Sequence, residues 1–528
     1  MDTNIALINR KQFSKDAIPF SEALEKTGFG VFNYILIILG GLLLACTLYE
    51  TASIGFILPI AECDLELTYQ DRGILTAVGY IGIIVSSHLW GFLADTKGRR
   101  YVIMPTVLIS STVSILSSFS HTFWMLALLR FLNGFFVSGS SATVYAYIGE
   151  FHIGRRRTRA VLASSCFLSV GAMSLPVIAW AIINQSWSLP LPFLGIVYKP
   201  WRLFIVACTS PGIIAGIILL FYPESPKFLM SIGKNEEALE VLRKMYSWNV
   251  RDGNFKVLKI IPEEDTSIGN GSEDSLKSSS LLSSFLQTMW RQTIPLFRKG
   301  LLLSTVLACT IQFWIYVTIH GMFMWFPFTV HNMVEFRNKN PGNSSRICDV
   351  IYAKQLHLEN ESQRVDGVKH CTEKLEDETF LLTIMMEFSY GMGFVVIGFL
   401  VQKVKKVHIL FFILFTFGTC GILTNFIYNT TLALVVYNML FLAGVGIQVL
   451  SEIVVDLYPT YLRAMALCIS LMFGRLGGVF GTNMIALLLA TNCEMTFNIA
   501  GTGLIVSAFL TFLIPKVKNL ENKPVIGS

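Results

Sequence analysis

Ionisable side chains stand inside long apolar stretches of this sequence, where a charge is costly and usually serves a function or has a partner. Glu50, Arg130 and His320 are each in such a stretch. Glu50 is suited to binding a proton or a cation, and the pH-sensitive His320 and the basic Arg130 are further solute-binding candidates. The structural alternatives are a hydrogen-bonded or protonated Glu50, an Arg130 that reaches the membrane surface, and a His320 that only packs. Glu387 and Arg475 are deep and opposite in charge; if paired, they are more typical of a structural clamp.

A charged decapeptide, GFLADTKGRR, lies between two apolar stretches at residues 91–100. Its glycines are wrongly spaced for a phosphate-binding loop, and no strand precedes them. The first glycine would let two helices approach closely, and the second would permit a tight turn. The aspartate could pair with the first arginine in one conformation and release it in another. A positively charged turn would need neither Asp nor Gly, so these residues are predicted to gate a conformational change: Gly91, Asp95, Gly98, Arg99 and Arg100.

The elements that position these residues are membrane helices. Of the 528 residues, 53% are hydrophobic, and the mean hydropathy is +0.59. Apolar runs of about 20 residues, enough to cross a bilayer as a helix, recur along the chain. A water-soluble protein could not bury so many. The sequence therefore predicts an all-α integral membrane protein with twelve spans, at 33–59, 72–93, 102–120, 122–149, 158–184, 202–222, 300–330, 379–401, 408–427, 431–456, 464–490 and 497–515.

Lysine and arginine concentrate in loops on one side of these spans, which predicts that this side is cytoplasmic. The even number of spans places both termini there. Asn343 and Asn360 begin N-x-Ser sequons on the opposite side and are the better glycosylation candidates. The division that follows has cytoplasmic tails at 1–32 and 516–528, six-helix halves at 33–222 and 300–515, a cytoplasmic loop at 223–299 and an outer loop at 331–378.

The two halves carry a weak internal repeat. GFLVQKVKKV at 398–407 follows the eighth span as GFLADTKGRR follows the second. EFHIGRRRTRA and DLYPTYLRA follow the fourth and tenth spans and end on the same Arg-Ala. This pattern resembles the major facilitator superfamily, which implies two pseudo-symmetric six-helix bundles. Glu150 and Asp456 end these two spans, each a few residues before an arginine, Arg159 or Arg463. With Asp95 and Arg99 they are predicted to form charge networks that hold the inner gate shut.

The stretch YPESPKFLMSIGKNEEALEVLRKMY at 222–246 resembles the organic ion transporters and the synaptic vesicle glycoprotein 2 family. FMWFPFTV at 323–330, followed by a long outer loop, is more similar to the vesicle glycoproteins. That resemblance implies that Trp180 and Trp325 face a central cavity, where their rings would suit organic cations or flat heterocycles. A membrane-interface position is the alternative for both. The sequence also departs from the family, because Thr47 replaces the first acid of the pattern that ends in Glu50.

Cysteine usage suggests a disulfide in the outer loop, an oxidising location. Cys348 and Cys371 both lie in this loop, although Cys63 and Cys493 are also predicted on the outer side, which leaves the pairing open. No metal-ligand spacing, nucleophile–base pair or ATP site is visible. The sequence therefore predicts neither an enzyme nor a cofactor or metal, and no nucleic-acid partner.

Two functions fit this sequence. The first is a transporter that moves a small organic solute, such as an organic ion, by alternating access and is coupled to protons or cations. The second is a transporter-like glycoprotein that acts in binding, trafficking or regulation with little transport. Either protein would have the lipid bilayer as a partner, in the plasma membrane or in an intracellular vesicle of the secretory or synaptic kind.

Overall fold

The computed structural model describes residues 17–62, 64–250, 255, 257–261, 293–298, 301–340, 344–362, 374–401, 403–458 and 462–515. Twelve helices in these ranges are long and apolar enough to cross a membrane, as predicted. In chain order they are α1 (Val31–Ala61), α2 (Tyr69–Lys97), α3 (Arg99–Ser117), α4 (Phe123–Glu150), α5 (Arg156–Ile183), α6 (Pro200–Phe221), α7 (Leu302–Lys339), α8 (Asp377–Leu400), α9 (Lys406–Phe426), α10 (Thr430–Leu457), α11 (Met465–Leu489) and α12 (Cys493–Leu513).

Polar side chains fix the starts of several of these helices. Thr68 and Asp71 cap α2 reciprocally, since each side chain accepts a hydrogen bond from the other residue's backbone N–H, at 3.2 and 2.9 Å. Thr122 accepts from the backbone N–H of Met125 at the start of α4. Asn429 does the same for α10 through the backbone N–H of Leu432. These caps satisfy backbone donors that the helices themselves leave unpaired.

Close helix packing holds the first half, α1–α6, together. α2 and α4 cross where Gly134 faces Gly79, and a Cβ atom on Gly134 would lie 2.1 Å from the Gly79 carbonyl oxygen. Only a residue without a side chain permits this approach. Gly139, further along α4, packs against Thr106 of α3. The second half, α7–α12, is packed in the same manner, with α7 against α11 and α9 against α12.

Short strands and helices lie outside the twelve spans. Strand β1 (Ala17–Pro19) pairs in parallel with β4 (Lys259–Ile261), and β2 (Leu189–Leu191) pairs antiparallel with β3 (Ile196–Tyr198). The side chain of Asn249 donates to the Thr27 carbonyl and accepts from the backbone N–H of Phe32, so it joins the segment after α6 to the start of α1. Outside the spans, the described residues form helices at Phe20–Lys26, Pro226–Ser231, Asn235–Asn249 and Ile347–Ser362, with 3-10 turns at Pro192–Leu194 and Ile294–Phe297.

The two halves meet mainly through α2 against α11 and α5 against α8. We name the two ends of the helices by residues that lie there. The Arg99 end holds the turn between α2 and α3, and the Cys348 end holds the segment between α7 and α8. The arrangement is the two-bundle major facilitator fold that the internal repeat predicted.

Candidate functional site

A cavity with a volume of about 240 Å³ lies between the two halves. Its walls come from α1, α2 and α5 of the first half and from α7, α8 and α10 of the second. The lining is mostly aromatic and aliphatic, with few polar groups, as is usual for a small-molecule site. The lining includes the side chains of Tyr80, His320, Phe323, Met324, Glu387 and Tyr390.

His320 is the one solute-binding candidate from the sequence that lines this cavity. Its Nδ1 atom lies 3.2 Å from the hydroxyl of Tyr80. Tyr80 belongs to α2 of the first half and His320 to α7 of the second, so this contact joins the two halves. The imidazole also stacks on Tyr316, with ring centroids 4.5 Å apart. His320 therefore joins the two halves at the cavity wall. The side chain packs against Tyr80 and Tyr316 and also lines the cavity in which a solute could bind.

Aromatic stacks join the halves on the Cys348 side of the cavity. Trp180 of α5 stacks on Phe380 of α8 at 6.3 Å, and Phe380 stacks on Phe56 of α1 at 6.4 Å. The Trp180 indole N–H also donates to Asp377 across the boundary, at 2.9 Å. These contacts hold α5 and α1 of the first half against α8 of the second at this end.

Trp180 and Trp325 do not line the central cavity, in contrast to the expectation from the resemblance. Trp325 stacks on Tyr69 of α2 at 6.2 Å and is only 2% exposed. Both tryptophans thus lie where the two halves touch. The cause is helix rotation, because a helix that is apolar all round gives no sequence signal for which of its sides faces the centre.

Glu50 and Arg130 form a buried pair inside the first half. Glu50 Oε2 lies 3.7 Å from Arg130 Nη1 and accepts a 2.7 Å hydrogen bond from the Ser114 hydroxyl. Arg130 Nη1 also donates to the Glu50 carbonyl at 3.3 Å. Arg130 is 3% exposed, so it does not reach the membrane surface. Neither residue lines the central cavity, and both border a separate cleft of about 10 Å³ between α1, α2 and α4.

Arg99 is the centre of a charge cluster at the Arg99 end. Its guanidinium lies 3.1 Å from Asp95 Oδ1 and 3.1 Å from Glu150 Oε2, which links the end of α2 to the end of α4. It also donates to the Ala94 carbonyl and lies 5.0 Å from the centre of the Phe228 ring. The decapeptide therefore brings together the charges that its spacing predicted.

Glu224 completes this cluster, and the sequence reasoning assigned it no role. Its carboxylate accepts from the backbone N–H groups of Arg99, Arg100 and Tyr101, at 3.0 to 3.2 Å. An acid at a helix N-terminus is favourable because unpaired N–H groups converge there. The position of this Glu in the Pro-Glu-Ser-Pro stretch at 223–226 was the sequence signal that could have indicated its role. Gly98 makes the contact possible, with a φ of +116°, and a Cβ atom there would lie 2.5 Å from Glu224 Oε2.

The chain can now be placed by its similarity to known proteins. The model of the family described as "Sugar (and other) transporter" matches residues 29–343, more than half of the chain. The chain belongs to this family. Human synaptic vesicle glycoprotein 2A is 28% identical over 337 residues, which are 61% of this chain and 45% of that protein. Mouse synaptic vesicle glycoprotein 2C is 26% identical over 379 residues, which are 68% of this chain and 52% of that protein.

The chain thus spans about half the length of the curated relatives it matches. Among solved structures, a D-xylose–proton symporter is similar with a TM-score of 0.60 and 15% identity, covering 93% of this chain and 99% of that chain. The xylose transporter of E. coli in its inward-open conformation gives the same TM-score at 16% identity, over 92% and 98%. These similarities confirm the major facilitator fold and the vesicle-glycoprotein-like branch that the motifs predicted.

Two predicted gate residues, Arg159 and Arg463, do not pair with the acids of the gate in the described part of the chain. Glu150 pairs with Arg99, whereas Arg159 is exposed and has no ion pair in the described part of the chain. Asp456 pairs with Lys406 at 2.8 Å, and Arg463 instead donates to the Tyr458 carbonyl at 2.9 Å. Arg159 and Arg463 are near the two acids along the chain, but in space the end of each helix meets the start of a different neighbour, which carries Arg99 or Lys406.

Gly91 is the third correction. A Cβ atom on Gly91 would meet nothing within 4 Å, so no helix approaches α2 there. The close approach of α2 occurs about three turns earlier, at the Gly79–Gly134 crossing. Arg100 is engaged, since its guanidinium donates to the carbonyls of Leu219 and Leu220 at the end of α6.

Glu387 and Arg475, which would form a structural clamp if they paired, make no ion pair with each other among the described residues. Lys406 occupies the first turn of α9, as Arg99 does in α3, and contacts both Glu452 and Asp456 of α10. Each half therefore holds a basic residue against acids on a neighbouring helix. The second half keeps this contact although its copy of the decapeptide differs in sequence.

Among the described cysteines, a disulfide joins Cys348 to Cys493, rather than to Cys371, the other candidate in the outer loop. The physical reason is that the helix Ile347–Ser362 packs against the start of α12, where the Tyr352 hydroxyl accepts from the Cys493 backbone N–H. Cys371 and Asn343 lie outside the described residues, as does the side chain of Asn360, so glycosylation at the two sequons stays a prediction.

Proposed function

We propose that this chain is a secondary transporter of a small organic solute, with residues 33–222 and 300–515 moving as two bodies in alternating access. The observation that carries the proposal is the cavity between the halves, whose wall contains side chains of both. The halves touch through Trp180, Phe380 and Phe56 on the Cys348 side of that cavity. Separation of these stacks, with closure at the Arg99 end, would expose the same cavity to the opposite side of the membrane.

The Arg99 end faces the cytoplasm in this proposal, and both termini lie there. The lysines and arginines of the short loops support this orientation. The Cys348–Cys493 disulfide at the opposite end supports it independently, because disulfides persist in oxidising compartments. The membrane is the plasma membrane or that of a secretory vesicle.

Protons are the proposed coupling ion, and Glu50 is the proposed carrier. The buried carboxylate lies beside Arg130, and the loss or gain of one proton would change the charge of the pair within a poorly solvated site. Asp95, Arg99 and Glu150 in the first half, with Lys406 and Asp456 in the second, are proposed to hold the helix ends at the Arg99 end during the transition.

Uptake into proteoliposomes that contain the purified full chain tests this function. A panel of organic cations, organic anions, sugars and nucleosides is offered with an inward or an outward pH gradient. We expect one solute class to accumulate and its rate to follow the direction of the gradient. No solute-dependent flux with either gradient would overturn the proposal.

A binding or regulatory glycoprotein is the second candidate. Thr47 favours it, because this hydroxyl donates to the Leu43 carbonyl of its own helix where the family carries a carboxylate. Saturable ligand binding without flux or exchange in the same vesicles would favour this candidate over the transporter.

A further inference from the structure

We propose that the solute bound in the central cavity is an organic cation and that the Glu387 carboxylate is its counter-charge. This assignment rests on the proposed function, which makes the cavity the solute site. It goes beyond that function by naming the chemical class of the solute and a residue that recognises it.

Glu387 is an acid without a protein partner. Its side chain projects from the middle of α8 into the cavity wall and is only 8% exposed. Within the described part of the chain, no ion pair or hydrogen bond involves its carboxylate. A buried charge without a partner is strongly unfavourable, so such a group either takes up a proton or awaits a cation from outside.

The charge of the cavity wall favours a cation. Neither a lysine nor an arginine, Arg475 included, belongs to the described lining. His320 already contacts Tyr80 and Tyr316. Arg475 acts electrostatically on Tyr80 and His320 from behind the opposite wall, but not on Glu387. An organic anion would therefore meet the Glu387 carboxylate with no lysine or arginine of the described lining beside it.

The remaining lining also suits a cation better than a sugar. Phe323, Phe394 and Phe441 present aromatic rings, and Tyr390 adds a fourth ring one helical turn from Glu387. Aromatic faces attract alkylammonium groups, and methionine sulfurs are soft and polarisable partners. A sugar needs a hydrogen bond for each hydroxyl that it buries, and this wall offers few polar side chains.

Choline and 3,3-dimethylbutan-1-ol test the charge directly, because they have nearly the same shape and differ by the positive nitrogen. Tetraethylammonium and benzyltrimethylammonium extend the panel to larger cations. Binding to the purified full chain is measured by equilibrium dialysis. We expect saturable binding of at least one cation, and competition by choline that exceeds that of its neutral isostere by about tenfold or more.

Glu387→Gln keeps the size of the side chain and removes its charge. We expect this variant to lose about tenfold or more in cation affinity, and Glu387→Asp to restore part of it. Glu378→Gln is the matched control on the same helix, since Glu378 is half-exposed, pairs with Arg337 and lies outside the cavity. We expect this control to bind cations as the wild type does.

Equal competition by choline and its isostere, or unchanged cation affinity in Glu387→Gln, would overturn the assignment. If Glu387→Gln does not purify as a monodisperse protein, the isostere comparison on the wild type decides. Gradient-driven flux of a neutral solute that no cation inhibits would reject this inference and keep the transporter function. Glu387-dependent cation binding without any flux would keep this inference and reject the transporter function.

Discussion

Glu50 Oε2 lies 3.7 Å from Arg130 Nη1, and both side chains are almost fully buried within the first half rather than in the central cavity. The pair is thus separated from the solute and placed to change charge with a single proton. Its separation from Glu387 divides the proposed tasks of coupling and recognition between the two halves.

Glu50→Gln keeps the shape of this pair and removes its titratable group. We expect uptake driven by a pH gradient to fall about tenfold or more, while exchange of solute across the membrane stays close to the wild-type rate. Proteoliposome uptake and counterflow measure the two quantities. Glu236→Gln, an exposed acid of the helix Asn235–Asn249 outside the spans, is the control. Retained proton-driven uptake in Glu50→Gln would reject the coupling role.

Arg99→Ala leaves the Glu150 carboxylate buried and without its partner. We expect the free energy of unfolding to fall by about 1–3 kcal/mol, seen as a lower midpoint of thermal unfolding in detergent. Arg159→Ala removes an exposed arginine from the same end, so its midpoint should stay within the error of the wild type. Equal losses in the two variants would show that the described Arg99 contacts add no stability.

Gly98→Ala and Gly91→Ala compare two glycines of one decapeptide. Gly98 has a φ of +116° and no room beside Glu224, so we expect its substitution to cost about 1–3 kcal/mol. Gly91 lies inside α2 with nothing within 4 Å of a Cβ atom, and alanine there should be neutral or stabilise by up to about 1 kcal/mol. Thermal unfolding measures both. A destabilising Gly91→Ala beside a neutral Gly98→Ala would contradict the described turn.

The Cys348–Cys493 disulfide ties the segment after α7 to the start of α12. We expect a non-reducing digest to give a cross-linked peptide that contains both residues, detected by mass spectrometry and lost on reduction. Cys348→Ser should lower the free energy of unfolding by about 2–4 kcal/mol. Cys166→Ser, at an exposed free cysteine of α5, is the control. A peptide that joins Cys348 to any other cysteine would refute the pairing.

His152 makes the Arg99 end sensitive to acid. It contacts Asn33 at 3.0 Å, and burial lowers the pKa of this imidazole, with Arg156 acting in the same direction and the hydrogen bond to the Ile148 carbonyl opposing it. The unfolded chain binds this proton more readily than the folded protein. The stabilising contribution is therefore present above the ordinary histidine pKa of about 6.5 and is lost as the pH falls below it.

We expect the unfolding midpoint of the wild type to fall more between about pH 7.5 and 5.5 than that of His152→Gln, because glutamine does not titrate in this range. His152 and Glu25 line a second cavity, of about 250 Å³, at the Arg99 end. The difference between the two proteins isolates the titration of His152 from that of Glu25 and of the other histidines. An equal fall in both proteins would rule out the contribution of His152.

Span lengths and loop charges were sufficient to predict twelve helices, because the bilayer sets a strong physical requirement on apolar length. The decapeptide likewise gave the Asp95–Arg99 contact, since an i,i+4 pair is fixed by helix geometry alone. These predictions depend only on local periodicity.

Contacts between helices were not predictable from the sequence in this way. The rotation of α5 and α7 about their own axes decides whether Trp180 and Trp325 reach the cavity, and an apolar helix leaves that rotation unspecified. The sequence grouped Glu150 with Asp95, Arg99 and Arg159, and which arginine pairs with it depends on which helix ends meet. The sequence places Glu387 deep within a span, but its proposed role depends on how the helices pack, because that role requires that Arg475 is not its ion-pair partner.

The parallel pairing of β1 with β4, together with the Asn249 side chain, ties the segment before α1 to the segment after α6. The first half is thus fastened at both of its own ends before the chain continues into the second. Co-expression of residues 1–261 and 262–528 as two polypeptides should therefore give an assembled, co-purifying protein. In that sense the molecule is a heterodimer whose subunits happen to share one backbone.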